Sequence, residues 1–319
     1  MKIAVLSYFS GTWERGAENW AAQLSSFLKP NHDIKVFGSQ AGENMVTYTL
    51  RILKQLSDFQ VVIPINGRWQ VFLTRIYCWI FGKKMIAVGH SGRGIDDRIN
   101  LLCFPDVFVG LSQQASNWAK KVNPFVKVEH IPNGVDLQIF SPKGLKAKID
   151  LLKPVILAIG ALEKNKQLDM TIKAVSLTPY SLVILGGGEL RDQLQNLGDQ
   201  LMPGRFKLLK VPFAQVSNYC RAVDVFTLAS WTRESYALVY LEAMACNLPI
   251  VATDDLVRHE IIEDAGLFMD PHDTLAYAAA LKEAVAKRWG KTPRLQAEKF
   301  SWDKIALKYS QLFDSICSQ

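Results

Sequence analysis

The stretch from Arg233 to Pro249 carries two glutamates, Glu234 and Glu242, eight positions apart. Glu242 lies in an apolar, alanine-rich run that is typical of a helix and that ends at Asn247-Leu248-Pro249. Eight residues of continuous helix would rise about 12 Å, which is too far for two carboxylates to share one proton. The spacing therefore favours two acids that hold two different parts of one long ligand.

Two further segments follow apolar, strand-like runs and could also contact a ligand. Lys164 and Lys166 come after the first such run of the second half, where a lysine can hold a diphosphate leaving group as a point charge. The alternative is a solvated pair of surface lysines. Gly186, Gly187 and Gly188 would let the backbone approach a ligand and aim N–H groups at an anion, although a tight turn explains them equally well.

Single histidines and glycines in the first half give weaker signals. His90 follows a strand-like run and could meet a hydroxyl-bearing or anionic substrate, but a surface histidine without a function is the alternative. Asn133-Gly134 has the residues of a tight turn. Gly11 and Gly16 after the first strand do not form a GxGxxG motif, so a dinucleotide cofactor is poorly supported.

The elements that must position these residues alternate between strand and helix patterns in both halves of the chain. This rhythm predicts two α/β units with parallel, doubly wound sheets. The polar stretch Pro142–Pro154 has the composition of a linker between them, and Trp302–Ile316 has the pattern of a final amphipathic helix. Ligands bind at the carboxyl ends of strands in such sheets. We expect them in a cleft between the two units.

Length and composition indicate a two-domain globular protein. The chain has 319 residues, of which 49% are hydrophobic and 21% charged, enough for a substantial core. Its longest apolar region, Val71–Val88, is interrupted by charges and glycine, which is unlike a membrane-spanning helix. Five cysteines without CxxC spacing, and no pattern of a signal peptide, predict a reduced cytoplasmic protein.

The positive charge is confined to the first half of the chain. Residues 1–149 contain 18 lysines and arginines against 10 acidic residues, a net charge of +8, whereas the remainder has a net charge of −1. A basic half can attract phosphates, nucleic acid or an anionic membrane. The apolar predicted helix Val71–Phe81, with Phe72, Ile76, Trp79 and Ile80, favours a membrane surface, although burial of that helix against the sheet is the commoner reason for such a pattern.

Taken together and in order, these segments resemble the retaining glycosyltransferases of family GT4. Glu234 to Glu242 fits the family's E-x7-E motif, and Ile131–Asp136, with Phe140 and Pro142 after it, fits its interdomain IPNGVD pattern. Three further pieces resemble the family: Leu185–Glu189 its glycine-rich loop, Arg15–Glu18 its first-helix GGAE, and the run from Trp302 its final helix. The resemblance covers nearly the whole chain.

The resemblance implies a fold and a domain division. The fold is GT-B, with two Rossmann-like doubly wound domains facing across a cleft and a C-terminal helix that crosses back to the first domain. The implied domains are an acceptor-side domain over residues 1–145, a donor domain over 146–300, and the final helix over 301–319.

The resemblance also implies roles for particular residues. Glu242 would bind the ribose hydroxyls of the donor, Glu234 would contact its hexose, and Lys166 would hold its diphosphate. His90 would lie on the acceptor side. The other implied substrate-binding residues are Ser235, Tyr236 and Ala237 through their backbone N–H groups, Gly187, Gly188, Lys164, Gly11, Gly16 and Asn133. The family's usual arginine is replaced here by Ala161, for which Lys164 is a candidate substitute.

The implied reaction moves a hexose from a nucleoside-diphosphate sugar to a hydroxyl of a glycan or lipid-linked acceptor. The resemblance implies retention of configuration by front-side attack, with neither a metal nor another cofactor. The expected partners are the donor and the acceptor, with peripheral contact of the basic half with a membrane and no nucleic acid. A sugar-nucleotide hydrolase or epimerase and a non-catalytic sugar-nucleotide-binding protein are the alternatives.

Overall fold

A computed structural model of the chain describes residues 1–10, 16–30, 32–230 and 234–317. The chain divides into two compact units, Met1–Gly134 with Trp302–Gln319, and Val135–Ser301. The boundary after Gly134 is earlier than the one predicted after residue 145. The lysine-rich stretch predicted as a linker packs on the second unit, where the backbone N–H of Ala147 donates to the carbonyl of Asn218 at 2.9 Å.

The first unit is built around a parallel sheet with the strand order β2-β1-β3-β4-β5-β6. Its elements are β1 (Lys2–Leu6), α1 (Gly16–Leu28), β2 (Asp33–Phe37), α2 (Met45–Leu53), β3 (Val61–Pro64), α3 (Arg68–Ile80), β4 (Lys84–Val88), α4 (Ile95–Leu102), β5 (Val107–Gly110), α5 (Gln113–Val122) and β6 (Lys127–His130). All four residues of β3 and of β5 are buried, as expected of parallel strands covered on both faces.

The second unit repeats this architecture with the strand order β12-β11-β10-β7-β8-β9, again all parallel. Its elements are β7 (Val155–Ile159), α6 (Leu168–Ser176), β8 (Ser181–Leu185), α7 (Arg191–Leu201), β9 (Phe206–Leu209), α8 (Phe213–Cys220), β10 (Val225–Leu228), α9 (Val239–Ala245), β11 (Ile250–Thr253), α10 (Leu256–Ile262), β12 (Gly266–Met269), α11 (Thr274–Ala286) and α12 (Thr292–Glu298). The prediction of two Rossmann-like α/β units is confirmed.

The last helix, α13 (Trp302–Cys317), begins at the predicted residue and belongs to the first unit. It packs along α1, where the rings of Trp20 and Tyr309 lie 5.8 Å apart edge to face. At its start, a Cβ added to Gly134 would stand 2.5 Å from the Trp302 ring. Glycine is therefore required where the chain leaves the first unit.

Helix α3 packs between α2 and α4, but its apolar face is not the one that is buried. Phe72, Ile76, Trp79 and Ile80 are all exposed, which contradicts the expectation that this face is buried against the sheet. The side of α3 that is buried carries Gln70 and Thr74 together with small apolar groups. The helix thus presents its largest apolar side chains outward.

Candidate functional site

The strand order of the second unit predicts a crevice at the carboxyl ends of β7 and β10. The chain leaves β7 toward β8 on one side and leaves β10 toward β11 on the other, although β7 and β10 are neighbours. The connections that follow two such strands diverge, and ligands of open α/β sheets bind at this switch point. Lys164 and Lys166 follow β7, and Glu234 lies on the segment between β10 and α9.

The structure brings the first two predicted residues of this crevice into direct contact. The Nζ atom of Lys166 donates to Oε1 of Glu234 at 2.7 Å and to Oε2 at 2.6 Å. Both side chains are largely enclosed, with about 16% and 15% of their surfaces exposed. Partial burial strengthens the attraction between the charges and fixes the geometry of the pair. The pair can offer one donor group and one carboxylate to the same ligand.

The two predicted lysines differ in their surroundings. Lys164 and Lys166 form a short 3₁₀ turn, in which Lys164 is exposed and Lys166 is half-buried. The stem of Lys166 crosses Gly160, where an added Cβ would lie 3.5 Å from its Cγ atom. Ala161 follows that glycine. The geometry orients Lys166 toward Glu234 and leaves Lys164 free to move in solvent.

The glycine run forms a close-packed floor beside this turn. The backbone N–H of Leu162 donates to the carbonyl of Gly187 at 2.9 Å. A Cβ on Gly186 would stand 2.0 Å from the carbonyl oxygen of Gly160, and Gly188 has a φ of +156°. Both positions therefore exclude side chains. These close contacts are with protein backbone, which supports the hypothesis of a tight turn, and the ligand contact of this run stays a prediction.

The segment between Glu234 and α9 is not helical, which corrects the estimate based on continuous helix. Ser235, Tyr236 and Ala237 lie in an extended loop, and α9 begins only at Val239. Ala237 has a φ of +57°, and such a conformation cannot continue a helix. The N–H groups of these three residues consequently lie ahead of the helix rather than in its first turn.

Tyr236 is the most enclosed of these loop residues. Its ring is buried, and burial raises the pKa of its hydroxyl well above the usual range. Within the described ranges the hydroxyl has no hydrogen-bond partner. Buried polar atoms without a partner are uncommon, so this hydroxyl is a group that a ligand or water would satisfy.

Glu242 lies in α9, three positions after its first residue. Part of its surface is accessible, but the apolar groups around it raise the pKa of the carboxyl from 4.5 to about 7. Neighbours in the same helix, such as Ala243 and Ala245, are fully buried. A carboxyl group in this setting is poised to accept hydrogen bonds from hydroxyls that replace water around it.

Arg258 is a residue of this region that sequence reasoning missed. Its guanidinium is fully buried at the start of α10, where it donates to Asp255 at 2.6 Å and to the hydroxyl of Ser230 at 2.7 Å. Ser230 immediately precedes the segment that leads to Glu234. Arg258 thus ties the loops after β10 and β11 together. Its sequence context, with His259 and Glu260 directly after it, gives no sign that the side chain is buried.

Lys210 is a second such residue. It follows β9 and its stem crosses the glycine run, so that a Cβ on Gly187 would lie 3.5 Å from its Cδ atom and 3.9 Å from Nζ. The side chain is exposed. Lys210 therefore adds a cation beside the glycine floor, one strand beyond the loop that holds Gly187. A lysine directly after a strand was the available signal.

In the first unit, His90 lies two residues after the end of β4, in a largely apolar setting. The ring of Trp20 lies 4.9 Å away edge to face, and burial lowers the pKa of the imidazole to about 4. His90 is therefore neutral at pH 7. Below the same loop, Asp97 accepts from the backbone N–H of Ser91 at 3.1 Å, and burial raises its pKa to about 7.

The remaining predicted residues are spread over the first unit. Asn133 is buried next to the boundary, and its Oδ1 atom has no partner among the described residues. Gly16 is the first residue of α1. Gly11 lies outside the described residues.

Among the described residues, no group of three or more His, Cys, Asp or Glu side chains is placed so that it could hold a metal ion. None of the helices there combines the length and the apolar character that crossing a membrane requires.

Residues 145–299, which lie in the second unit and contain this site, match the family model described as Glycosyl transferases group 1. A D-inositol 3-phosphate glycosyltransferase from Xylanimonas cellulosilytica is 30% identical over 207 residues, 56% of this chain and 49% of the relative. A GDP-mannose-dependent alpha-(1-6)-phosphatidylinositol monomannoside mannosyltransferase from Mycolicibacterium smegmatis is 28% identical over 192 residues, 54% of this chain and 50% of the relative. The chain thus spans about half the length of these curated relatives.

Solved structures share the whole fold at low sequence identity. The Anabaena protein HepE in complex with UDP and glucose has a TM-score of 0.80 at 15% identity, over 99% of this chain and 100% of that one. A glycosyltransferase from Rickettsia africae has a TM-score of 0.81 at 14% identity, over 99% and 98%. Residues 145–299 are therefore similar to the group 1 glycosyltransferases, and the chain has the GT-B fold of these solved structures.

Proposed function

We propose that the protein is a retaining glycosyltransferase that moves a hexose from a nucleoside-diphosphate sugar to a hydroxyl group of a glycan or lipid-linked acceptor. The observation that carries this proposal is the contact between Lys166 and Glu234 at the switch point of the second sheet. A cation and a carboxylate held together there match a ligand that has a diphosphate joined directly to a sugar. HepE, which shares the fold, is described in complexes with UDP and with UDP-glucose.

In the proposed donor complex, Lys166 turns part of its donor capacity to the diphosphate. An ammonium group has three N–H donors, so it can hold a phosphate oxygen without losing Glu234 altogether. Glu234 then accepts from the hexose hydroxyls, and Glu242 accepts from those of the ribose. The N–H groups of Ser235, Tyr236 and Ala237 supply further donors along the same segment.

The proposed reaction proceeds on one face of the sugar. The acceptor oxygen forms a bond to the anomeric carbon as the bond to the leaving phosphate oxygen breaks, and that phosphate oxygen takes the acceptor's proton. Negative charge grows on the diphosphate during this step. Lys166 stabilises it, and a single well-placed donor of this kind is worth roughly 10²–10³ in rate. We propose no role for a metal, so chelation by EDTA should leave the rate unchanged.

His90 is proposed to act on the acceptor. A neutral imidazole can accept a hydrogen bond from the attacking hydroxyl and help to orient it, and the low pKa of His90 keeps it neutral throughout the physiological range. Since a pKa of about 4 makes it a weak base at pH 7, orientation rather than proton removal is its proposed contribution.

The test is transfer from UDP- and GDP-sugars to a panel of acceptors, with NMR of the product to identify the anomeric configuration. Lys166→Ala should lower kcat by roughly 10²–10³, whereas the matched control Lys164→Ala, at an exposed position, should lower it less than about tenfold. Full activity of both Lys166→Ala and Glu242→Ala would contradict the assigned roles. An inverted product would contradict retention.

Ala161 supports a second candidate, a non-catalytic protein that binds nucleotide sugars. The resemblance places an arginine at this position, next to Gly160 and the stem of Lys166. If the donor binds but is not consumed with any acceptor, and Ala161→Arg does not restore transfer, this second function is favoured. Consumption of the donor without any acceptor would instead indicate a hydrolase.

A further inference from the structure

The outer face of helix α3 is more apolar than the face that packs against the sheet. Trp69, Phe72, Ile76, Trp79 and Ile80 are 63, 46, 38, 61 and 69% exposed. At 100° per residue these five positions fall within an arc of about 100°. The opposite side buries Gln70 and Thr74 completely. A surface helix normally buries its apolar face and exposes its polar one, so we expect another surface to cover the apolar face of α3.

The charge around this face is predominantly positive. No acidic residue occurs between Phe59 and Ile95, whereas this stretch contains five bases, at Arg68, Arg75, Lys83, Lys84 and Arg93. Two of these bases contact acids outside the stretch: Arg75 contacts Asp106 and lies over the ring of Trp79 at 4.6 Å, and Arg68 contacts Asp96 at 2.7 Å. Arg68 is the first residue of α3 and stays two-thirds exposed, and the two lysines follow the end of the helix.

We propose that the outer face of α3 docks on the surface of an anionic lipid bilayer. Trp69 and Trp79 are ten residues apart, about 15 Å along the helix, and tryptophan favours the boundary between lipid headgroups and acyl chains. Apolar groups between them would enter that boundary while the bases at both ends attract the headgroups. This inference rests on the proposed function only in that it would place the protein beside a lipid-linked acceptor.

The charges favour a lipid surface over a second copy of the chain. In a two-fold symmetric dimer, the same patch of each copy faces the other. Among the described residues of this patch there are five bases and a single exposed acid, Asp96, so the two copies would bring an excess of positive charge together. An anionic bilayer instead complements that excess.

The proposal is tested by co-sedimentation of the full chain with phosphatidylcholine vesicles, with and without about 30% phosphatidylglycerol. We expect binding to the anionic vesicles that weakens in 0.5 M salt, because screening removes the electrostatic part. Trp69→Ser combined with Trp79→Ser should weaken binding at least about tenfold, since two large apolar side chains no longer leave water. Both positions are exposed, so the melting temperature should stay unchanged.

A matched control is available in the second unit, where Leu275 and Leu295 are also strongly exposed. The pair Leu275→Ser and Leu295→Ser should bind vesicles like the unchanged protein. Equal binding by the tryptophan variant, or no binding by the unchanged protein, overturns the proposal. A dimer in light scattering that the tryptophan variant dissociates would assign the face to a second copy instead.

Vesicle binding needs no sugar nucleotide, so it separates this inference from the proposed function. Vesicle binding without any transfer activity would support the docking face and contradict the proposed enzymatic function. Transfer to a water-soluble acceptor without vesicle binding would contradict only the docking face.

Discussion

Replacement of Glu242 by glutamine should stabilise the free protein while it weakens donor binding. Burial raises the pKa of Glu242 from 4.5 to about 7. A carboxyl whose pKa is raised on folding stabilises the fold fully below pH 4.5, and this contribution is lost as the pH rises through about 7. At pH 8 the unchanged protein therefore carries an ionised carboxylate in an unfavourable setting, which glutamine avoids.

The size of the effect follows from the pKa. At about 1.4 kcal/mol for each pKa unit, the rise from 4.5 to about 7 corresponds to at most about 3.5 kcal/mol. Since the side chain is partly accessible, water reduces this penalty, and we expect a gain of about 1–2 kcal/mol in the free energy of unfolding at pH 8. For a chain of this size that is about 2–8 °C in Tm, and little gain should be seen at pH 5.

The assay is thermal unfolding of both proteins from pH 5 to pH 8, with and without the sugar nucleotide. Donor affinity should fall at least about tenfold in Glu242→Gln, because glutamine has an NH2 donor in place of one acceptor oxygen and lacks the charge that strengthens hydrogen bonds from hydroxyls. A control with the opposite sign is Glu263→Gln, since the ion pair with Lys299 lowers the pKa of Glu263. That variant should not gain stability at pH 8. An unchanged Tm of Glu242→Gln at every pH would refute the reasoning.

Three further substitutions test the loops around the site. Gly186→Ala should lower the free energy of unfolding by about 1–3 kcal/mol in urea titration, because its Cβ would stand 2.0 Å from the carbonyl of Gly160. Arg258→Met should cost about 3–5 kcal/mol in the same titration, since it leaves Asp255 with an uncompensated charge; equal stability would contradict the role given to this ion pair. Lys210→Ala should leave the Tm unchanged and weaken donor affinity about three- to tenfold, more at low salt than at high salt, as calorimetry would show.

Much of the fold was predictable because its central strands are continuous apolar runs. Strands such as β8 and β11 are fully buried, and each is followed by glycine or polar residues that mark its end. Other elements gave no such pattern. Helix α5 has the polar sequence QQASNWAKKV, and α12 begins at a threonine-proline pair within a charged stretch. Their stability comes from packing on neighbouring elements, which periodicity in the sequence does not reveal.

The candidate site was predictable only in part, for a similar reason. Glu234 and Lys166 could be proposed singly, but 68 positions separate them, and only the strand order places β7 beside β10 and brings them together. The inward position of Arg258 could not be derived either, because its partners come from the ends of two other strands. The outward position of the α3 tryptophans depends on which helices cover it, a property of the assembled unit.

The contact between Lys166 and Glu234 also bears on which solutes the crevice excludes. The ammonium group of Lys166 already has a counter-ion within the protein, so inorganic phosphate meets little net attraction and must compete with the carboxylate of Glu234. A solute that offers hydroxyls to Glu234 and phosphate oxygens to Lys166 replaces, for both side chains, the contact that they lose with each other. Anions that lack a sugar moiety should therefore be weak competitors of the donor. The neutral Lys166–Glu234 pair thus lets the protein select its ligand by charge as well as by shape.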